Sequence, residues 1–95
     1  MTVYGEVLIA KFAKQYAASR KPLARFLVIA REATWQHFPD VKATFPGTDY
    51  APSTGTLIFN IGGNKYRLIA LVNFVKQILL IDQVFTHEEY NRKSL

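Results

Sequence analysis

The sequence predicts an α+β fold, with two N-terminal helices packed on a twisted antiparallel sheet and a short C-terminal helix after it. Apolar residues recur at helical spacing through the first third of the chain. From Thr56 onward the pattern changes to apolar and β-branched runs divided by tight turns. The chain has 95 residues and 49% hydrophobic content, enough for one modest core and too little for two. Residues 1–95 are therefore expected to form a single domain.

Residues 1–4 suit a short edge strand. Residues 6–18 read as a helix, with Val7, Ile9 or Ala10, Phe12, Ala13 and Tyr16 near one face and Lys11, Lys14 and Gln15 mostly outside it. Ser19-Arg20-Lys21-Pro22 is a break, and Pro22 suits the first turn of a second helix, where its missing N–H has no intrahelical role. That helix is expected to run to about Trp35, with Leu23, Phe26, Leu27, Ile29, Ala30, Ala33 and Thr34 along one stripe and Arg25 and Glu32 facing solvent. The short break predicts an antiparallel helical hairpin. Pro39 stops any continuation, and residues 40–45 admit one short helical turn. Residues 46–55, dense in turn formers, are expected to be loop throughout. Trp35 is expected to anchor the core beneath that loop, and His37 to be a helix-end residue.

The sheet is expected to hold three strands between Thr56 and Thr86. Gly62-Gly63 suits a two-residue hairpin turn that needs positive φ, which sets Asn60 opposite Lys65 and Ile58 opposite Arg67. A second turn at Val75-Lys76 sets Lys65 opposite Thr86 and Arg67 opposite Val84. Opposed residues of an antiparallel pair share a face. One face is then apolar, including Phe59, Leu68, Leu79 and Phe85, and faces the helices. The other includes Ile58, Ile69 and Val84 and gathers Asn60, Lys65, Arg67 and Thr86 at one end. His87 follows on the rim.

Composition excludes several chemistries. The absence of cysteine removes disulfides, thiol catalysis and thiolate zinc sites. With only His37 and His87, no catalytic metal site is expected, and no cofactor. The longest apolar run, residues 69–75, is broken by Asn73 and is far too short to span a bilayer. Lys11 and Lys14 interrupt the only early apolar segment, so no signal peptide is visible. A cytoplasmic protein without membrane association is expected. Twelve Lys and Arg against seven Asp and Glu give a net charge of +5, which favours a nucleic acid or an acidic protein as partner.

The polar end of the sheet suits phosphate chemistry. Lys65 and Arg67 make a cationic patch, and arginine's planar fork matches phosphate oxygens. Asn60 adds a neutral hydrogen-bonding side chain. Histidine is the residue type that exchanges protons near neutral pH, which makes His87 the natural general acid or base. Tyr90 shares one side of a short helix with His87 and could stack on a base or donate a proton. Thr86 and Glu89 have capping-box spacing at the start of that helix. Together these groups fit metal-free cleavage of RNA by attack of the ribose 2′-OH. Each also has a plainer reading. Lys65 suits a solvated strand start, Arg67 a partner of Asp82, His87 a surface residue in a first helical turn, and Tyr90 a packing residue at the sheet edge.

The pattern F-N-I-G-G-N-x-x-R at Phe59–Arg67, an apolar strand, and T-H-x-E-Y at Thr86–Tyr90 resembles the HigB toxins of bacterial type II toxin–antitoxin systems, within the RelE-like superfamily. Val41-Lys42-Ala43-Thr44-Phe45-Pro46 resembles the family's segment before the loop, whereas the two N-terminal helices match in layout only. The resemblance implies a RelE-like fold and an mRNA interferase that cleaves mRNA in the ribosomal A site. It implies a cognate HigA-type helix-turn-helix antitoxin as partner. It casts Arg67 as the holder of the scissile phosphate, His87 and Tyr90 in acid–base and stacking roles, and Lys65 as a supporting cation. Asn60, Asn64, Lys42, Thr86, Arg92 and Lys93 complete the expected RNA-contacting set. A non-catalytic basic module that binds RNA or an acidic protein is the alternative.

Overall fold

The structure, a computed structural model, describes residues 1–92. Helical spacing in the first third of the chain produces two helices whose apolar stripes turn inward. α1 (Glu6–Gln15) buries Ile9, Phe12 and Ala13, and α2 (Arg20–Glu32) buries Leu23, Phe26 and Ala30. Val7, expected on the inward face of α1, instead lies exposed at the start of the helix, and Val28 is exposed on α2. α1 ends sooner than its spacing suggests. The chain tightens into one 3₁₀ turn, Ala17–Ser19, where the buried Ser19 hydroxyl donates to the Tyr16 carbonyl at 2.6 Å. Pro22 lies in the first turn of α2, as expected.

α2 stops short of Trp35 because Trp35 is needed elsewhere. Its side chain is 3% exposed, its Nε1 donates to Thr44 Oγ1 at 3.0 Å, and the rings of Phe45 and Phe59 lie beside it. Thr44 belongs to α3 (Phe38–Thr44), which starts before the expected position and takes Pro39 into its first turn.

Five strands form one sheet in the order β1 (Thr2–Tyr4), β5 (Ile78–Thr86), β4 (Tyr66–Asn73), β3 (Thr56–Ile61), β2 (Asp49–Ala51). β1 runs parallel to β5, so the sheet is mixed rather than wholly antiparallel. β2 corrects the expectation of an uninterrupted loop over residues 46–55. Its three residues pair antiparallel with β3, too short a run for a period-two pattern to show in the sequence. α4 (His87–Asn91) closes the described chain.

Two corrections to the expected register shape the site. Asn60 lies opposite Arg67, and Ile61 opposite Tyr66. The β3–β4 connection is therefore the longer turn Gly62-Gly63-Asn64-Lys65, with Gly62 and Gly63 at φ 63° and 70°. A slide by an even number of residues keeps each strand's facing but changes its partners. Asn60 faces Arg67 instead of Lys65.

The β4–β5 pairing begins as expected, with Asn73 opposite Ile78 and Ala70 opposite Ile81. It then shifts between Ala70 and Ile69, because Ile69 faces Gln83 and leaves Asp82 as an extra residue on β5. Beyond this bulge the facing of β5 reverses. Arg67 faces Phe85 rather than Val84, and Tyr66 rather than Lys65 faces Thr86. Val84 joins the main core and Phe85 leaves it.

The main core lies between the helices and one sheet face, around Phe26, Phe59, Leu68 and Leu79. A smaller cluster of Ala51, Ile58 and Ile69 lies on the opposite face, with Phe85 and Tyr90 packed against it. β1 passes directly into α1 at Gly5, whose φ is 91°. A Cβ at that position would lie 2.7 Å from the Ile81 carbonyl oxygen.

This geometry sets an order of stability losses. Gly5→Ala and Gly55→Ala both place a side chain at positive φ, which costs about 1–2 kcal/mol. Only Gly5→Ala also forces a clash, since an added Cβ at Gly55 meets nothing within 4 Å. Urea denaturation should show the larger loss for Gly5→Ala; equal losses would remove the β1–β5 approach as a constraint.

Candidate functional site

The site is assembled by two fasteners. The first is the cap of α4, where Thr86 Oγ1 accepts from the Glu89 backbone N–H at 3.1 Å and Glu89 Oε1 accepts from the Thr86 N–H at 2.9 Å. The second joins α4 to the β3–β4 turn, the His87 backbone N–H donating to the Lys65 carbonyl at 2.7 Å. Together they fold the short helix back over β4. The spacing of His87 and Tyr90 then places both side chains against Arg67.

Arg67 is only 8% exposed. Its Nη1 donates to the carbonyls of Asn64 at 3.3 Å and Tyr66 at 3.0 Å. Its Nη2 lies 2.6 Å from Asn64 Oδ1 and 2.8 Å from His87 Nδ1. Its Cζ sits 5.8 Å from the centroid of the Tyr90 ring. The Nη hydrogens are thus all directed at protein acceptors, leaving Nε–H outside these hydrogen bonds. Among the described residues no carboxylate pairs with Arg67, and Asp82 lies exposed on the bulge.

Arginine has no acceptor, so His87 Nδ1 must accept from Arg67 with its lone pair. The proton of a neutral imidazole then sits on Nε2. The Asn91 amide nitrogen lies 3.1 Å from Nε2. A nitrogen there would set two donors face to face, so the amide must present its oxygen instead, an exchange of two nearly equivalent positions. In this state His87 can donate from Nε2 but has no free lone pair with which to accept a proton.

The other expected residues divide clearly. Lys65 lies exposed in the turn, beside the Arg67 cluster rather than paired in a strand. Asn60 is exposed, and its Nδ2 donates to the Gly47 carbonyl at 3.3 Å. Asn64 holds Arg67, and the Thr86 hydroxyl is engaged in the cap. Arg92 caps α4 and pairs with Glu88 at 2.6 Å. Lys42 is exposed on α3, which contributes nothing to the cluster. Lys93 lies outside the described residues.

Sequence reasoning passed over Asn91, although its position four residues after His87 on a helix was the available signal. Phe85, expected on the helix-facing side, is instead brought to the Arg67 face by the bulge. Among the described residues no group of His, Cys, Asp and Glu gathers to hold a metal ion. Nor is any helix among them long and apolar enough to cross a membrane.

A family model described as HigB_toxin, RelE-like toxic component of a toxin-antitoxin system, matches residues 19–93. The chain is similar to an mRNA interferase toxin HigB of Escherichia coli strain K12 and to an mRNA interferase HigB of Shigella flexneri. Each is 40% identical over 52 residues, covering 54% of this chain and 50% of the relative. The matched segment spans about half the length of those curated relatives. An mRNA interferase HigB of Escherichia coli O6:H1 is 22% identical over 93 residues, 97% of this chain and 90% of that relative.

The Arg67–His87 contact can be tested without substrate. Long-range ¹H–¹⁵N correlation spectra should show neutral His87 with its proton on Nε2. Arg67→Leu, which removes the donor, should release the other tautomer into the mixture. An unchanged tautomer in the variant would mean that Arg67 does not set it.

Proposed function

Because the chain belongs to the HigB family of RelE-like toxins, we propose that it is an endoribonuclease that cleaves mRNA on the ribosome and so stops translation. The observation that carries this reading is the Arg67 guanidinium held between His87 and Tyr90 at one end of a sheet face, with Lys65 exposed beside it. The net charge of +5 favours approach of an RNA backbone.

The reaction needs no metal. The ribose 2′-oxygen attacks the adjacent phosphorus as its proton leaves to a base. The bond from phosphorus to the 5′-oxygen breaks, and an acid protonates that oxygen. The products are a 2′,3′-cyclic phosphate and a 5′-hydroxyl. Arg67 and Lys65 stabilise the charge that builds on the phosphorane. His87 transfers the proton, and Tyr90 stacks on a base or donates a proton. Asn60, Lys42, Arg92 and Lys93 extend the contact along the RNA, while Asn64 and Thr86 act on the RNA site by holding Arg67 and α4.

The resting geometry implies an exchange on binding. A phosphate oxygen is a stronger acceptor for a guanidinium than an imidazole nitrogen. When the scissile phosphate arrives, Arg67 turns from His87 Nδ1 toward it. His87 is then free to adopt the protonation state the reaction needs. The partner is a HigA-type helix-turn-helix antitoxin, whose acidic residues would suit this basic corner, and the setting is the cytoplasm.

One observation favours a second reading. An arginine with its Nη donors committed to protein acceptors is also what a purely structural arginine looks like. On that reading the chain is a basic module that binds RNA or an acidic protein without cleaving it.

Inducible expression separates the two. Wild type should arrest growth and cut ribosome-bound mRNA, with ends mapped directly. His87→Gln should lower cleavage about 10²–10⁴-fold, and Arg67→Ala should abolish arrest. Intact translated mRNA in cells expressing the wild type would overturn the interferase reading and leave the binding module.

A further inference from the structure

A second feature adjoins the Arg67 cluster across the β3–β4 turn. Between α2 and that turn lies a cavity of about 170 Å³. It is a half-open surface cleft with room for several waters. Phe26, Ile29 and Phe45 give it an apolar wall, and Arg25 and Asn60 stand at its edge with Gly62. Gly62 keeps this side open. A Cβ there would approach the Tyr66 ring at 3.3 Å and Pro22 Cγ at 3.5 Å.

We propose that this cavity is a base-binding subsite, which takes one unstacked nucleobase of the RNA whose phosphate lies at the Arg67 cluster. The proposal rests on the ribonuclease reading for its ligand, and three features support the assignment. The accessible part of the apolar wall is the half-buried Phe45 and Ile29, since Phe26 is buried against Phe45 and Phe59, and one ring edge with an aliphatic side chain suits contact with a base. The cation at the edge, Arg25, is exposed on α2 and has no hydrogen-bonded or ionic partner among the described residues. A guanidinium can stack on a base plane or hold its phosphate.

Continuity is the third feature. Asn60 lines the cavity and is also the direct cross-strand neighbour of Arg67. One turn serves both places: Gly62 and Gly63 border the cavity, Asn64 holds Arg67, and the Lys65 carbonyl holds His87. The cavity wall lies on the helix side of the sheet and Arg67 on the opposite face, so an RNA strand reaches both by passing around the end of this turn. The Asn60 Nδ2 is engaged by Gly47, which leaves Oδ1 to accept from a donor on the base edge.

The subsite makes cleavage selective at one position beside the cut, and binding alone can test it. The probes are the four homotetranucleotides of RNA and an abasic tetranucleotide of equal charge. Each is titrated into His87→Gln protein, whose cleavage is expected to be about 10²–10⁴-fold slower, while the amide signals of Ile29, Gly62 and Gly63 are followed by NMR. At least one base-bearing probe should move these signals, and the abasic probe should not. Arg25→Ala should weaken that probe about 10-fold, whereas Lys14→Ala, an equal loss of charge on α1, should weaken all probes alike and only slightly. Ile29→Trp should fill the cavity and remove the difference between probes. Equal shifts from the abasic probe, or none from any probe, would overturn the subsite. Cleavage without a subsite would then appear as cut sites unchanged by Arg25→Ala and Ile29→Trp, whereas failure of the ribonuclease reading would appear as intact mRNA with the wild type.

Discussion

The extra residue at Asp82 is the constraint on which the site depends. Without it β5 would keep one register along β4, and Val84 rather than Phe85 would lie opposite Arg67. With it, Phe85 joins Ala51, Ile58, Ile69 and Tyr90 in a small apolar cluster on the face away from the main core. That cluster gives Tyr90 a surface to pack on, and Tyr90 in turn holds α4 down over Arg67. A short helix of this kind has little stability of its own. It persists because its cap, its bond to the Lys65 carbonyl and this second cluster act together.

The two helices, the second sheet turn and the inward positions of Phe59, Leu68 and Leu79 follow from periodicity, and the structure shows them. The cap at Thr86 follows from a spacing with a mechanism. What could not be read has a common cause. A bulge adds one residue without leaving a turn signal, so alternation continued unbroken across Asp82 assigns Val84 and Phe85 to the wrong faces. The longer turn after Ile61 was hidden because Gly62-Gly63 satisfies a two-residue hairpin by itself. β2 is too short to show a period, and β1 gave no sign that it would pair parallel to β5. Arg67, His87 and Tyr90 could be grouped from the sequence, whereas their contacts, and the place of Asn91 beside His87, could not. Asn64, expected to contact RNA, holds Arg67 through its side-chain oxygen, a contact its position in the turn does not announce.

Burying Arg67 is costly, and the way that cost is met bears on its role. A guanidinium taken from water needs hydrogen-bond partners or a counter-charge. Here backbone carbonyls, the Asn64 amide and the His87 ring supply the partners, and the Tyr90 ring adds its face. Among the described residues no carboxylate neutralises it. The positive charge thus remains available to an incoming anion, which an ion pair with Asp82 would have cancelled. Neutral partners hold the arginine in place while leaving the field of the corner positive.

The same partners fix His87 as a proton donor through Nε2 and close it as a proton acceptor. Each assignable proton around His87 follows from the donor-only nature of Arg67. Nδ1 accepts, Nε2 carries the hydrogen, and Asn91 turns its oxygen toward it. A group fixed in this state cannot take a proton from a ribose hydroxyl. In the proposed reaction a phosphate is the chemically suitable agent to change this state, because it competes for the same guanidinium hydrogens. Recognition of the backbone and release of the histidine then become one event. Water alone is a poorer acceptor for Arg67 and leaves the pair closed, so the arrangement would couple proton transfer to the presence of a correctly seated strand.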